Sequence, residues 1–67
     1  MYYFVARRGK TQINLGSMDQ MIDFLERGMD IELINTQNER ELLVSADNFR
    51  DVKLVDVFQK IKDFDRR

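Results

Sequence analysis

Chemistry at neutral pH in this chain rests on carboxylate, lysine and arginine side chains, because the sequence contains no His and no Cys. A thiolate nucleophile, an imidazole base, a disulfide framework and an ordinary zinc site are therefore excluded. The most noticeable hydroxyls belong to Thr11 and Ser45. A serine nucleophile needs an adjacent base, and Ser45 follows an apolar run at a position typical of a turn or cap residue. We expect no catalytic residue, and hence a protein that is not an enzyme.

A carboxylate metal site is the next possibility, at the C-terminal end of the chain. Asp56, Asp63 and Asp65 carry the oxygen ligands that hard cations prefer. Four cationic side chains lie among and after them: Lys60, Lys62, Arg66 and Arg67. Ion pairing or solvation is therefore the better interpretation of these acids. We expect no metal and no cofactor.

Four carboxylates follow one another at spacings of 4, 3 and 4 residues: Asp19, Asp23, Glu26 and Asp30. At about 100° per residue they fall in a narrow band of a helix, ~110–140° from the centre of its apolar stripe. The band can be a solvated helix face, or it can bind a basic protein, including one that normally holds nucleic acid. Like charges four residues apart slightly destabilise an isolated helix. We therefore predict that these acids form a surface for a basic protein partner.

A basic group lies near the N-terminus, where Arg7, Arg8 and Lys10 surround Gly9. Arginine and lysine side chains at a glycine turn can bind phosphates, and the aromatic residues upstream can stack on bases. A solvated turn beside a core strand explains the same residues. Nucleic-acid or phosphate-ligand binding through Arg7, Arg8 and Lys10 is the alternative functional hypothesis.

Two hairpins and two helices must position these groups. Residues 2–8 are aromatic and β-branched, and residues 11–15 alternate polar with apolar side chains, so a first hairpin is predicted. Residues 31–34 and 41–45 predict a second hairpin around a polar turn. Residues 51–64 have high β propensity, but their apolar side chains share one helical face, so a helix is predicted. The residues of that face are Leu54, Val57, Phe58, Ile61 and Phe64.

The first helix is predicted over residues 18–27. Ser17 and Gln20 have the spacing of a capping box, in which the serine caps the third amide and the glutamine reaches back. Gly28 is expected to end the helix as its C′ residue. Phe24 and Met29 then occupy the positions whose side chains contact each other in a Schellman ending.

The order β-β-α-β-β-α predicts a single α+β domain over residues 1–67: a four-stranded antiparallel sheet with two helices on one face. One face of the first strand must then point away from the helices. Alternation places Tyr3 and Val5 on one side of that strand and Tyr2, Phe4 and Ala6 on the other. We assign Tyr2 and Phe4 to an outward apolar surface for a partner or a second copy.

The net charge of −1 is an average over three unlike segments. Residues 1–16 carry three bases and no acid, residues 17–47 carry eight acids and two bases, and residues 48–67 carry six bases and four acids. This balance does not favour non-specific nucleic-acid binding, which needs a basic face. No apolar run approaches the ~18 residues of a membrane span, and residues 1–8 do not have the pattern of a signal peptide. We expect a cytoplasmic protein without membrane contact.

One local pattern resembles a known family. Ile13-Asn14-Leu15 and residues 25–35 are similar to the N-terminal DNA-binding domain of polyhydroxyalkanoate accumulation regulators. The shared features are a strand, a short helix that ends near glycine, and a second strand preceded by an acid. The resemblance covers a minor part of the chain and implies DNA-linked regulation as one form of the alternative hypothesis.

The leading hypothesis is a non-enzymatic regulator or inhibitor that covers the surface of a partner protein, such as a small bacterial or phage protein. A chain of 67 residues buries only ~60% of the surface that its unfolded form exposes. Self-association as a homodimer is therefore also expected.

Overall fold

The computed structural model describes all 67 residues. The strands are β1 (Tyr2–Arg8), β2 (Thr11–Asn14), β3 (Asp30–Asn35) and β4 (Arg40–Val44). The helices are α1 (Gln20–Glu26) and α2 (Leu54–Asp65), and a short 3-10 helix (Phe49–Asp51) precedes α2. The predicted order β-β-α-β-β-α is confirmed. Neither helix has the length and apolar character that a membrane-spanning helix needs.

All four strands form one antiparallel sheet in the order β2-β1-β3-β4, as predicted. The long β1 lies inside the sheet and places Val5 opposite Glu32 of β3. The register between β3 and β4 shifts, because Ile31 pairs with Val44 and the next residue of β3 pairs with Leu42. Leu43 is therefore an extra residue in β4, as in a β-bulge.

The hydrophobic core lies between the two helices and one face of the sheet. Ala6 and Ile31 come from the central strands, Leu25 from α1, and Val57 and Phe64 from α2. All five side chains are buried. Helix α1 contacts β1 and β3, whereas α2 contacts β3 and β4. We call the opposite side of the sheet the open face.

The assignment of Tyr2 and Phe4 to the outward surface is wrong. Both side chains are half-buried and pack against the core, and their rings meet edge to face with centroids 5.5 Å apart. Ala6 is fully buried in the core, and strand alternation places every second residue of β1 on its side. The outward aromatic residue is Tyr3, whose exposed fraction is 41%.

Helix α1 begins later than predicted, because the capping box does not form as expected. The N-cap is Asp19, and its side chain makes no capping hydrogen bond. Gln20 does reach back, but its Oε1 accepts a hydrogen bond from the Gly16 N–H at 2.7 Å instead of the Ser17 N–H. Ser17 uses its carbonyl oxygen to accept from the Gln20 N–H at 3.3 Å. Residues 17–19 therefore form a turn that leads into the helix.

The C-terminal end of α1 is the predicted Schellman motif. Gly28 has a φ of +86°. The Met29 N–H donates to the Phe24 carbonyl, and the Gly28 N–H donates to the Leu25 carbonyl, both at 3.0 Å. These two bonds satisfy carbonyls that the helix leaves without partners.

Helix α2 differs from the prediction in its start and in its buried face. Residues 49–51 form the 3-10 turn, so the α-helix begins at Leu54 instead of residue 51. Val57 and Phe64 are buried as predicted. Leu54 and Phe58 are exposed, because the helix meets the sheet along a line that passes through Val57 and Phe64.

Candidate functional site

Three of the four predicted acids form a row on the surface. Asp19 occupies the N-cap position of α1, and Asp23 and Glu26 lie on α1 itself, with all three side chains exposed. Asp30 does not extend the row, because it begins β3. Its Oδ1 accepts a hydrogen bond from the Ala46 N–H at 2.8 Å, which fixes the segment after β4. We use the name acidic row for Asp19, Asp23 and Glu26 only.

The acidic row is almost free of cationic partners. Asp19 and Asp23 take part in none of the four ion pairs of the chain. Glu26 lies 3.7 Å from the guanidinium of Arg50, and both side chains are more than half exposed. Exposed pairs of this kind contribute little stability. The negative charge of the row is therefore largely uncompensated within the chain.

An apolar groove of about 140 Å³ lies between α1 and the start of α2. Every residue that lines it is apolar. One wall comes from α1 and the preceding turn, the floor from β4 and the 3-10 segment, and the other wall from α2. In that order, the lining residues are Met18, Met21, Ile22, Leu25, Val44, Phe49, Val52, Leu54 and Val57.

The rim of this groove includes the most exposed large apolar side chains that follow Met1. Apart from Met1, the three most exposed large hydrophobic side chains are Leu54 at 71%, Val55 at 68% and Ile22 at 54%. Leu54 and Ile22 line the groove, and Val55 is next to Leu54 along α2. Phe58, one turn further along α2, is 47% exposed. A contiguous apolar surface of this kind is typical of an interaction site.

A larger cavity of about 480 Å³ lies between β4 and α2 but has a mixed lining. Asp51, Lys53, Asp56 and Lys60 alternate negative and positive charge along it. The bulge in β4 also interrupts the strand edge that an added strand would need. This cavity offers neither a single sign of charge nor a regular edge to a ligand.

The predicted phosphate-binding residues do not converge. Arg7 donates from Nε to Glu32 Oε2 at 3.0 Å and from Nη1 to the Gly9 carbonyl at 3.1 Å. Arg8, one position on, lies beside Gly28 at the end of α1. Lys10 is in the turn between β1 and β2. Strand alternation therefore separates the two arginines, and the structure forms no common phosphate site from them.

Sequence reasoning missed a polar network that uses one residue from each strand. Glu32, 7% exposed, accepts hydrogen bonds from Arg7 at 3.0 Å and from Arg40 at 2.8 Å. Arg40 also donates from Nη2 to Gln12 Oε1 at 2.7 Å. The one signal for this network in the sequence is Glu32 itself, the only charge within the apolar run of residues 31–34.

The polar network leaves little apolar surface on the open face. Val5 pairs with Glu32, and Ile34 pairs with Arg40. The exposed fractions of Val5 and Ile34 are 0% and 2%, although no helix covers this side of the sheet. Tyr3 and Leu42 are the apolar side chains that remain exposed there. Most of the exposed large apolar side chains therefore lie on the helix side of the molecule.

The remaining candidate residues have local roles. Ser45 Oγ accepts a hydrogen bond from the Asp47 N–H at 3.2 Å, which confirms the prediction of a turn residue. Asp63 Oδ1 accepts from the Gln59 side chain at 3.0 Å. No group of three or more acidic side chains converges in a way that could hold a metal ion.

No protein-family model, curated protein or solved structure matches the chain. The local resemblance to polyhydroxyalkanoate accumulation regulators stays a prediction from pattern alone.

Proposed function

We propose that this chain is a non-enzymatic binding protein that acts by covering part of a partner protein. The observation that carries the proposal is the apolar groove with the acidic row beside it on α1. Protein interfaces commonly have an apolar centre and a polar rim. The groove supplies such a centre, and Asp19, Asp23 and Glu26 supply one side of the rim.

The charge of the rim favours a basic partner. Asp19 and Asp23 have no ion pair within the chain, so a partner can use them without first breaking a contact. Like charges at an interface strongly disfavour the wrong partner. A partner surface with apolar residues at its centre and lysine or arginine at its edge fits both features.

Nucleic-acid or phosphate-ligand binding has less support than protein binding. Arg7 is already bound to Glu32, and Arg8 lies elsewhere. A titration of nucleic-acid binding against salt tests this alternative. A steep salt dependence that disappears in the double variant Arg7→Ala/Arg8→Ala would support it, and no binding at low salt would exclude it.

Affinity capture from the organism that encodes the chain tests the proposal. The bait is the full chain, compared with Ile22→Gln and Leu54→Gln, which alter the groove at exposed positions. Leu42→Gln is the matched control, because Leu42 is similarly exposed but lies on the open face. We expect one partner to be recovered by the wild type and the control and lost by both groove variants. Equal recovery by all four baits would contradict the proposal.

A further inference from the structure

The walls of the apolar groove restrict the backbone conformation of whatever binds there. All nine lining residues are apolar, so their side chains offer no good hydrogen-bonding partner to an incoming backbone. An extended peptide would bury N–H and C=O groups without partners, and each such group carries a large desolvation cost. A helix satisfies its backbone groups internally. The lining therefore favours a helical segment over an extended one.

The acidic row restricts the charge of that segment. Asp19, at the N-cap of α1, and Asp23 and Glu26, on α1, follow one another at spacings of four and three residues, and α1 is the helix that forms one wall of the groove. A helix lying beside α1 presents its own side chains at the same repeat. Lysine or arginine at that repeat would face the row, whereas glutamate would be repelled.

We infer, on the basis of the proposed function, that the groove binds an amphipathic α-helix of the partner, apolar on one face and flanked by lysine or arginine. The apolar face contacts Ile22 and Leu54, and the basic flank lies along Asp19, Asp23 and Glu26.

A second copy of this chain is the competing occupant, since α2 exposes Leu54, Val55 and Phe58. The charge of α2 fits the acidic row less well than that of a basic partner helix. Over residues 54–65, α2 has three acids and two lysines, in the sequence LVDVFQKIKDFD. The three acids of α2 would meet the carboxylates of the row together with its two lysines, so a second copy would gain less than a helix whose flanking charges are all basic. A basic partner helix is therefore favoured over a second copy.

The test uses synthetic peptides of about 18 residues, long enough to form a helix on binding. One peptide has leucine at helical spacing with lysine on both flanks, and a second has the same leucines with glutamate flanks. A third has the composition of the lysine peptide in a scrambled order that destroys the apolar face. Binding to the full-length chain is measured by isothermal titration calorimetry at low salt.

We expect the lysine peptide to bind, the glutamate peptide to bind at least tenfold more weakly, and the scrambled peptide not to bind. The variant Asp19→Asn/Asp23→Asn/Glu26→Gln should weaken the lysine peptide about tenfold, the effect of three modest ion pairs. Asp63→Asn/Asp65→Asn, at the far end of α2, is the control and should bind like the wild type. Ile22→Gln should weaken binding of the lysine peptide, but this variant should still bind the lysine peptide more tightly than the glutamate peptide.

Equal binding of the lysine and glutamate peptides, or wild-type affinity in the acidic-row variant, would overturn the inference. Binding of the scrambled peptide as tight as that of the lysine peptide would also overturn the inference, because binding would then not require an ordered apolar face. Dimerisation that Leu54→Gln abolishes, seen by light scattering together with no peptide binding, would assign the groove to a second copy. The affinity-capture experiment tests the proposed function separately. Its outcome, recovery of a partner by the wild type and loss in the groove variants, does not depend on how the peptides bind.

Discussion

Arg40, on one edge strand of the sheet, donates a hydrogen bond to Gln12 on the other edge strand across 2.7 Å. The same guanidinium binds Glu32, which Arg7 binds from the opposite side. The four side chains belong to four different strands, so the network forms only when all of them are in register. A slip by one residue would turn Glu32 toward the core. The network therefore helps to specify the strand register.

Removal of the central carboxylate should destabilise the fold. In Glu32→Ala, Arg7 and Arg40 lose their shared acceptor, although both arginine side chains are 44% exposed and can be hydrated. We expect a loss of about 1–3 kcal/mol in the free energy of unfolding, measured by urea denaturation. Asp23→Ala is the control, since Asp23 is exposed and has no ion pair. Equal stability of the two variants would contradict a role for the network.

Gly28 and Gly16 provide a matched pair for the Schellman ending. Gly28 has a φ of +86°, and an added Cβ would lie 3.3 Å from Arg8 Nη1. At Gly16 an added Cβ would make only an ordinary contact, 3.6 Å from Gln20 Oε1. We expect Gly28→Ala to lower the free energy of unfolding by about 1–2 kcal/mol and Gly16→Ala to have little effect. Thermal unfolding of the two variants checks this, and the reverse order would exclude the assigned cap.

The side chain of Asn35 holds the turn between β3 and β4. Its Oδ1 accepts hydrogen bonds from the Gln37 and Glu39 N–H groups, each at 3.0 Å, and its Nδ2 donates to Glu39 Oε1 at 2.8 Å. Asn35→Ala should therefore cost about 1–3 kcal/mol of stability. Asn48→Ala is the comparison, because the Asn48 side chain makes no capping bond. Chemical denaturation that gives both variants the same midpoint would contradict this role.

The two phenylalanines of α2 distinguish its buried face from its exposed face. Phe64 is 1% exposed, whereas Phe58 is 47% exposed. We expect Phe64→Ala to lose about 3–5 kcal/mol and Phe58→Ala to lose much less, both measured by urea denaturation. Similar losses of stability in the two variants would mean that Phe58 belongs to the core and not to the exposed apolar rim.

The parts of the fold that depend on local sequence were predictable. The Schellman ending follows from Gly28 and its neighbours, and the element order follows from the period of the apolar residues. The capping box does not form because Gln20 Oε1 accepts from the Gly16 N–H, one residue before the donor that the box requires. Local pattern cannot choose between two such neighbouring donors.

The parts that depend on pairing between distant residues were not predictable. Alternation separates the side chains of β1 into two sets without showing which set meets the helices, so it cannot place Tyr2 and Phe4 on the helix side. The buried side of α2 depends on how the helix lies on the sheet. Glu32 is recognisable as an unusual charge in an apolar strand, but one of its partners, Arg7, lies 25 residues away on β1, and only the strand order places Arg7 and Arg40 on either side of it.

We propose that the apolar groove beside the acidic row is the binding surface of the chain. Two-dimensional NMR of the labelled chain, titrated with the lysine-flanked peptide, tests it most directly. We expect the largest chemical-shift changes at Met18, Ile22, Leu54 and Asp23, with little change at Tyr3 and Leu42 on the open face. Shift changes centred on the open face, or none at saturating peptide, would contradict the claim.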